Sequence, residues 1–430
     1  MTSVSTTIQA RNFLPLAVAM ITCLILLINV SFKIIVVQGM LFSASSVLCP
    51  LVAGLYLLVL KECTPAQQRQ VLNQSLLALY LFSIGIYLLV NLPAAENMRI
   101  NDAYQIIFED IPRKFFSATL AFGLSFYLPY IYYCRQRAYQ TLLSPKLGLL
   151  LALLGGFSFF SIDFLLLFSD PQPENFIQIY LYSLMVSIVI LLLIGLGYLL
   201  FIYRIKPLKN KINKQMAVCY SKPCYQYLVC FSVIILLICL SCEYRLISFA
   251  NGWILVASAI LFPLNIMVSN IVGELYGYKA NLRKTVILLF SELAFDLGIL
   301  IVVVLPSPDF FNLNPFYSCI IPRRISATIL ALFLALGCNA WLLEKLKKTV
   351  YGSHRALRIF VANIIAHSLL CLVNYTILFA GIYPYEQIFN LACSSWTYKF
   401  IVTLLSLPLV LWLIEVLRGH AVPAEGCVFR

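Results

Sequence analysis

GWILVASAILFPLNIMVSNIVG, residues 252–273, runs without a single Lys, Arg, Asp or Glu. About 20 mostly apolar residues in a helix cross the hydrocarbon core of a bilayer. The stretch therefore reads as a spanning helix with Pro263, Asn265 and Asn270 set into it. Working outward, further apolar runs of similar length lie near 13–30, 38–60, 71–92, 114–134, 147–168 and 177–203. Others lie near 225–242, 285–305, 325–343, 357–382 and 395–417, which makes twelve candidate spans in all. The composition agrees. Hydrophobic residues make up 62% of the 430 and charged residues 11%, against about 25% charged in soluble domains. Mean hydropathy is +0.94. A chain this apolar cannot cover a water-facing surface, so its solvent is lipid. The net charge of +13 then reads as basic cytoplasmic loops and not as a nucleic-acid footprint. The 14 cysteines are scattered, many within apolar runs (Cys23, Cys49, Cys230, Cys371). They read as small packing residues, with no zinc site or disulfide framework expected.

The positive charges set an orientation. If odd-numbered helices start in the cytoplasm, only Lys33, Arg99, Arg113, Lys114, Arg245, Arg323 and Arg324 lie in the segments on the opposite side. Lys399 falls inside the last span, and every other Lys and Arg is cytoplasmic. This bias predicts a multi-pass inner-membrane protein with both termini in the cytoplasm. The first apolar run lacks a small-residue cleavage site and reads as a retained span.

The halves resemble one another. IFEDIPRKFFSATLAFGL at 107–124 lines up with YSCIIPRRISATILALFL at 317–334, and SFKIIVVQGMLFSASSVLCPL at 31–51 parallels EYRLISFANGWILVASAILFPL at 243–264. Pro50 then stands level with Pro263. The expected fold is an all-α polytopic membrane protein of about twelve transmembrane helices, built as two parallel six-helix repeats. The first repeat spans 1–203 and the second 225–420, with a basic cytoplasmic linker at 204–224 and a cytoplasmic tail at 421–430.

The string FPLNIMVSNIVGELYGYKANLRK at 262–284 closely resembles the signature of the queuosine precursor transporter family, also called the vitamin uptake transporter family. The places of that pattern hold Pro263, Asn270, Glu274, Tyr276, Gly277 and Arg283. The resemblance continues through Pro322-Arg323-Arg324, the small patch Ser326-Ala327-Thr328, and a final helix with Lys399 and Pro408. It covers 230–420, and 31–200 more weakly. Family members usually have one set of six helices, so the resemblance implies a tandem duplication. Asn270 stands where the family most often has Asp. In the first copy Pro50 is followed by LVAGLYLLVLKECTPAQQ, without the acid-Tyr-Gly, so that copy reads as a scaffold. The resemblance implies uptake of a 7-deazaguanine base used in tRNA modification. The alternatives are a carrier of another small heteroaromatic, vitamin-like solute and, behind it, a membrane-embedded enzyme or a structural membrane protein.

Ionisable groups inside apolar spans cost ~2.5–3.5 kcal/mol each on insertion scales, so each demands a reason. Asp163 stands among Ser158 and Ser161. Glu292 and Asp296 are four apart on one helix face and would repel unless one is protonated or a cation intervenes. Proton coupling competes there with a polar stripe between packed helices. Lys399 reads as a solute contact, against snorkelling to the interface. Neutral amides suit a nucleobase because each offers a donor beside an acceptor; Asn265, Asn270, Asn363 and Asn374 lie in or beside spans, with Phe262, Tyr276 and Tyr375 to stack on a flat ring. The candidate solute-binding residues are thus Asn265, Asn270, Glu274, Tyr276, Arg323, Arg324, Asn374 and Lys399. Asp163, Glu292 and Asp296 are candidates for coupling or a polar core.

No catalytic kit is expected. HExxH, GxSxG and P-loop strings are absent from the sequence, and the one histidine within a span, His367, reads as a satisfied core residue. No cofactor or metal is implied, and no nucleic acid is bound directly. The expected partners are the lipid bilayer and a small heteroaromatic solute. A proton gradient, facilitated passage and a separate energising module all remain open as the means of driving transport.

The charge bias makes a direct prediction. Reporter fusions at either terminus and within 204–224 give cytoplasmic signals; a periplasmic signal from the linker would overturn the span count of the first half.

Overall fold

The computed structural model describes residues 2–95, 111–139, 145–169, 176–204, 223–243, 245–249, 253–308, 314–349 and 354–421. Nearly all of the expected linker, most of the tail, and Arg99 lie outside the described residues. Among the described residues, 12 helical spans are long and apolar enough to cross a membrane, one of them assembled from two of the helices named next. The helices are α1 (Thr2–Val30), α2 (Ser45–Glu62), α3 (Pro65–Val90), α4 (Ile111–Phe122), α5 (Leu128–Tyr139), α6 (Pro145–Leu167) and α7 (Phe176–Arg204), then α8 (Pro223–Ser241), α9 (Ser258–Tyr276), α10 (Tyr278–Val304), α11 (Asn314–Lys347), α12 (Arg355–Phe379) and α13 (Tyr385–Ala421). A π-helical segment, Gly123–Tyr127, joins α4 to α5, and the two form one span. Local rules set several starts. Pro65, Pro145 and Pro223 each open a helix, where a missing N–H costs nothing. Before α3, the Thr64 backbone N–H donates to Gln67 Oε1 at 3.0 Å and the Gln67 N–H to Thr64 Oγ1 at 3.4 Å, a reciprocal capping box.

Two short hairpins correct the expected spans. Apolarity alone predicts helix over residues 38–43 and 254–256. Instead β1 (Ile34–Val37) pairs antiparallel with β2 (Met40–Ser43), and β3 (Leu246–Ser248) with β4 (Ile254–Val256). The β-branched run Ile34-Ile35-Val36-Val37 favours a strand. Gln38 and Gly39 both have positive φ, at 50° and 81°, the backbone that a two-residue hairpin turn demands.

The chain packs as two compact units. Unit 1 comprises Met1–Tyr87, Asp102–Val218 and Leu297–Ser318; unit 2 comprises Leu88–Asn101, Cys219–Asp296 and Cys319–Arg430. In unit 1, Lys33 ends the turn after α1, and its Nζ donates to the Val303 and Leu305 carbonyls at 2.9 and 3.1 Å. The Val36 N–H donates to the Pro306 carbonyl at 2.9 Å. In unit 2, Arg245 holds the Val90 carbonyl and, at 2.9 Å, that of Leu92. The Ser248 N–H donates to the Pro93 carbonyl at 3.0 Å. Each cation thus meets the carbonyl end of a helix, where the last C=O groups lack partners and the dipole favours positive charge.

Hydrogen bonds to charged groups contribute about 1.5–3 kcal/mol. Arg245→Met is therefore expected to lower the thermal midpoint of the detergent-purified protein by several degrees, while Lys348→Met, on an exposed side chain, leaves it unchanged. An unchanged midpoint for Arg245→Met would contradict the capping role.

Candidate functional site

Unit 2 encloses a cavity of about 30 Å³ lined by Glu243, Phe262, Thr328, Asn374, Tyr375 and Lys399 among other residues. Helical spacing delivers these side chains. On α9, Ser258, Phe262 and Asn265 fall on one face; on α12, His367, Cys371, Asn374 and Tyr375 do the same. Glu243 follows the end of α8, α11 supplies Arg324 and Thr328 one turn apart, and α13 supplies Lys399.

The charges are arranged in order. Asp296 on α10 forms a buried pair with Arg324, whose Nη1 also donates to the Leu240 carbonyl at 2.9 Å. Glu292, one turn before Asp296, lies against the Thr328 hydroxyl, itself 2.7 Å from the Arg324 carbonyl. The expected repulsion between Glu292 and Asp296 is thus relieved by an arginine on one and a hydroxyl on the other. Lys399 is 2% exposed. Its Nζ is 3.4 Å from Cys371 Sγ and lies over the rings of Tyr375 and Phe262, at 5.3 and 5.7 Å from the centroids. Among the described residues it has no carboxylate within ion-pair distance. A buried, aromatic-boxed cation of this kind is not a snorkelling anchor.

Asn374 Nδ2 donates to Glu243 Oε1 at 2.8 Å. Burial pushes the Glu243 carboxyl up to about 7, against the opposing pull of Asn374 and Arg324. Several polar atoms find no partner among the described residues: Glu243 Oε2, Asn374 Oδ1, both amide atoms of Asn265 and both ring nitrogens of His367. Buried polar groups are rarely left so. His367 therefore departs from the expected satisfied core histidine. Of these atoms, Glu243 Oε2 and Asn374 Oδ1 belong to residues that line the cavity beside the Phe262 and Tyr375 rings.

The expected site residues divide. Arg324, Asn374, Lys399, Glu292 and Asp296 come together here, with Asn265 a turn from Phe262. The rest of the signature lies elsewhere on α9. Asn270 joins a buried amide triad, receiving from Asn339 at 3.3 Å and donating to Asn363 at 2.8 Å. Glu274 is clamped by Arg358, with Nη2 at 2.6 Å from Oε2, and by Lys347 at 3.6 Å. The Tyr276 ring packs edge-on against Tyr225 at 5.3 Å. Arg323 donates to the Ala380 carbonyl at 2.9 Å. Asp163 is buried in unit 1. Sequence reasoning passed over Glu243, although its alignment opposite Ser31 placed an acid where the other half has a hydroxyl. It also passed over Asn339, Arg358 and the C-x-x-C spacing of Cys239 and Cys242, both free thiols. Among the described residues no group of three or more His, Cys, Asp or Glu could hold a metal.

Removing one partner of a buried ion pair costs about 3–5 kcal/mol. Glu274→Gln is expected to destabilise the purified protein by that order, and pairing it with Arg358→Met restores part of the thermal midpoint. Equal midpoints for Glu274→Gln and wild type would show that the clamp carries no stability.

Residues 256–413 match the model of a family described as "Putative vitamin uptake transporter". No curated protein and no solved structure matches the chain. The matched stretch holds Phe262, Glu292, Arg324, Asn374 and Lys399; Glu243 lies just ahead of it. With 12 helices long and apolar enough to cross a membrane, the match supports a multi-pass membrane transporter.

Proposed function

We propose that the protein takes up a queuosine precursor, a 7-deazaguanine-type base destined for tRNA modification, and binds it in the cavity of unit 2. The observation that carries this reading is the grouping of Glu243, Asn374 and Lys399 beside the rings of Phe262 and Tyr375. A guanine-like edge offers two adjacent N–H donors and a carbonyl. The Glu243 carboxylate is suited to accept the donors, Asn374 Oδ1 adds an acceptor, and Lys399 supplies a donor to the carbonyl. The two rings offer faces for stacking. At about 30 Å³ the cavity offers little more than water-sized space. A base enters when the helices part, as alternating access requires.

The chain sits in the inner membrane with both termini cytoplasmic, on the strength of the charge bias. The shared order of spanning helix, basic residue, hairpin and proline-bearing helix in both halves supports a tandem duplication, with the first copy as scaffold. The family's description favours one second reading, another small heteroaromatic vitamin as solute. The deciding experiment is queuosine content of tRNA in a biosynthesis-deficient host fed the free base, with and without this gene. Content is expected to rise only with the gene, and Asn374→Leu to cut the rise about tenfold or more, the worth of a lost hydrogen bond to a charged group. No rise with the wild-type gene, alongside uptake of a different labelled vitamin, would favour the second reading.

A further inference from the structure

Two buried polar side chains of unit 2 take no part in the cavity chemistry described above. Asn265 on α9 is 1% exposed and His367 on α12 is 2% exposed. Both amide atoms of Asn265 and both ring nitrogens of His367 lack a hydrogen-bond partner among the described residues. The packing of the two helices puts them at one level. α9 and α12 run antiparallel, tied by Glu274 to Arg358 and by Asn270 to Asn363. About one turn from Asn270 and Asn363, that register brings Asn265 opposite His367. One turn further it reaches Phe262 and Leu370, which both line the cavity. The pair therefore lies between the cavity and the hydrogen-bonded amide triad, which forms a floor beneath it. Buried polar atoms left without hydrogen bonds are costly. Four of them at one level between two helices point to an occupant that neither helix supplies.

We propose that Asn265 and His367 form a second recognition subsite, adjoining the cavity, that takes an uncharged donor–acceptor edge of the solute's heteroaromatic ring. The inference rests on the cavity being the solute site. Neither side chain carries a fixed charge, and each presents a donor and an acceptor. The amide offers its Nδ2–H and Oδ1, and the neutral imidazole one N–H and one bare nitrogen. Such a pair suits an edge where a ring N–H sits beside an acceptor nitrogen. A 7-deazaguanine has that edge, its pyrrole N–H next to the bare nitrogen of the six-membered ring. Its far edge, with two donors and a carbonyl, is the one matched to Glu243, Asn374 and Lys399. The spacing agrees. His367 and Asn374 are two turns apart on α12, about 10 Å along the axis. A two-ring base with a hydrogen bond of about 2.9 Å at each end spans about that length. Phe262 stands between the two levels, and Lys399 reaches the intermediate turn at Cys371.

The test measures dissociation constants on purified full-length protein for labelled 7-deazaguanine and for its analogue methylated on the pyrrole nitrogen, which lacks that N–H. Wild type is expected to prefer the parent base about tenfold, the worth of a hydrogen bond left unmade. That preference is expected to fall in Asn265→Leu and in His367→Leu, and to reach about one in the double variant. His367→Gln, which keeps a donor and an acceptor, is expected to retain most of it. Because neither side chain has a partner among the described residues, the thermal midpoint without solute is expected to hold or rise in the leucine variants. No preference in wild type, with the parent base bound, would overturn the subsite and leave the cavity assignment standing. So would a preference that survives in both single variants. Equal losses for both ligands with a fallen midpoint would overturn it too, as the mark of a packing or water-holding pair. Wild type that binds neither ligand would remove the solute reading, and the subsite with it. If the double variant fails to insert, the single variants decide.

Discussion

Burying a charge in a membrane protein is tolerated only where something answers it, and the site in unit 2 is organised around a lysine that no carboxylate answers directly. Lys399 is surrounded instead by a thiol and the faces of Phe262 and Tyr375. Cation–π contacts of this kind are worth up to about 2 kcal/mol when desolvated, less than a full ion pair in good geometry. The lysine is left with unspent capacity facing a cavity. Arg324, by contrast, is consumed by Asp296 and a carbonyl. Two cations in one neighbourhood therefore have separate tasks. Arg324 ties α11 to Asp296 on α10 and to the end of α8, and Lys399 lines the cavity.

A second constraint shapes the frame that holds these groups. Backbone N–H and C=O groups cannot go unpaired in hydrocarbon, yet each unit contains a hairpin and helix ends close to its spanning helices. Lys33 and Arg245 meet that demand by donating to the terminal carbonyls of α10 and α3, while Val36 and Ser248 N–H groups pair with the carbonyls of Pro306 and Pro93. Within α9, Pro263 removes a helix hydrogen bond, and in the turn before it the Tyr398 hydroxyl donates to the Ile260 carbonyl at 3.3 Å. Phe262, one residue before the proline, points into the cavity.

The spanning helices were legible because about 20 apolar residues leave few alternatives in lipid. The hairpins were not, since Ile34–Val37 and Ile254–Val256 are as apolar as the helices they precede, and the two-residue turn signals Gln38-Gly39 and Asn251-Gly252 are brief beside those apolar runs. Lys399, Arg324 and Asn374 could be named in advance because a charge or amide in an apolar run stands out. Glu243 could not, because it follows a helix end, where acids are ordinary, and only the folded chain brings it to Asn374. Asn270 and Glu274 stood out for the same reason as Lys399, but a sequence does not say whether a polar group has found a protein partner. Here Asn339, Asn363 and Arg358, far away in the chain, already occupy them.

The central claim is that solute binds at the Lys399 cavity and not at the far end of α9. The most direct measurement is the dissociation constant of labelled 7-deazaguanine for purified, folded Lys399→Met and Asn270→Ala proteins, each against wild type. The account predicts at least about tenfold weaker binding for Lys399→Met, the worth of one hydrogen bond from a charged group, and unchanged affinity for Asn270→Ala. Wild-type affinity in Lys399→Met with lost affinity in Asn270→Ala would contradict it and move the site to the amide triad.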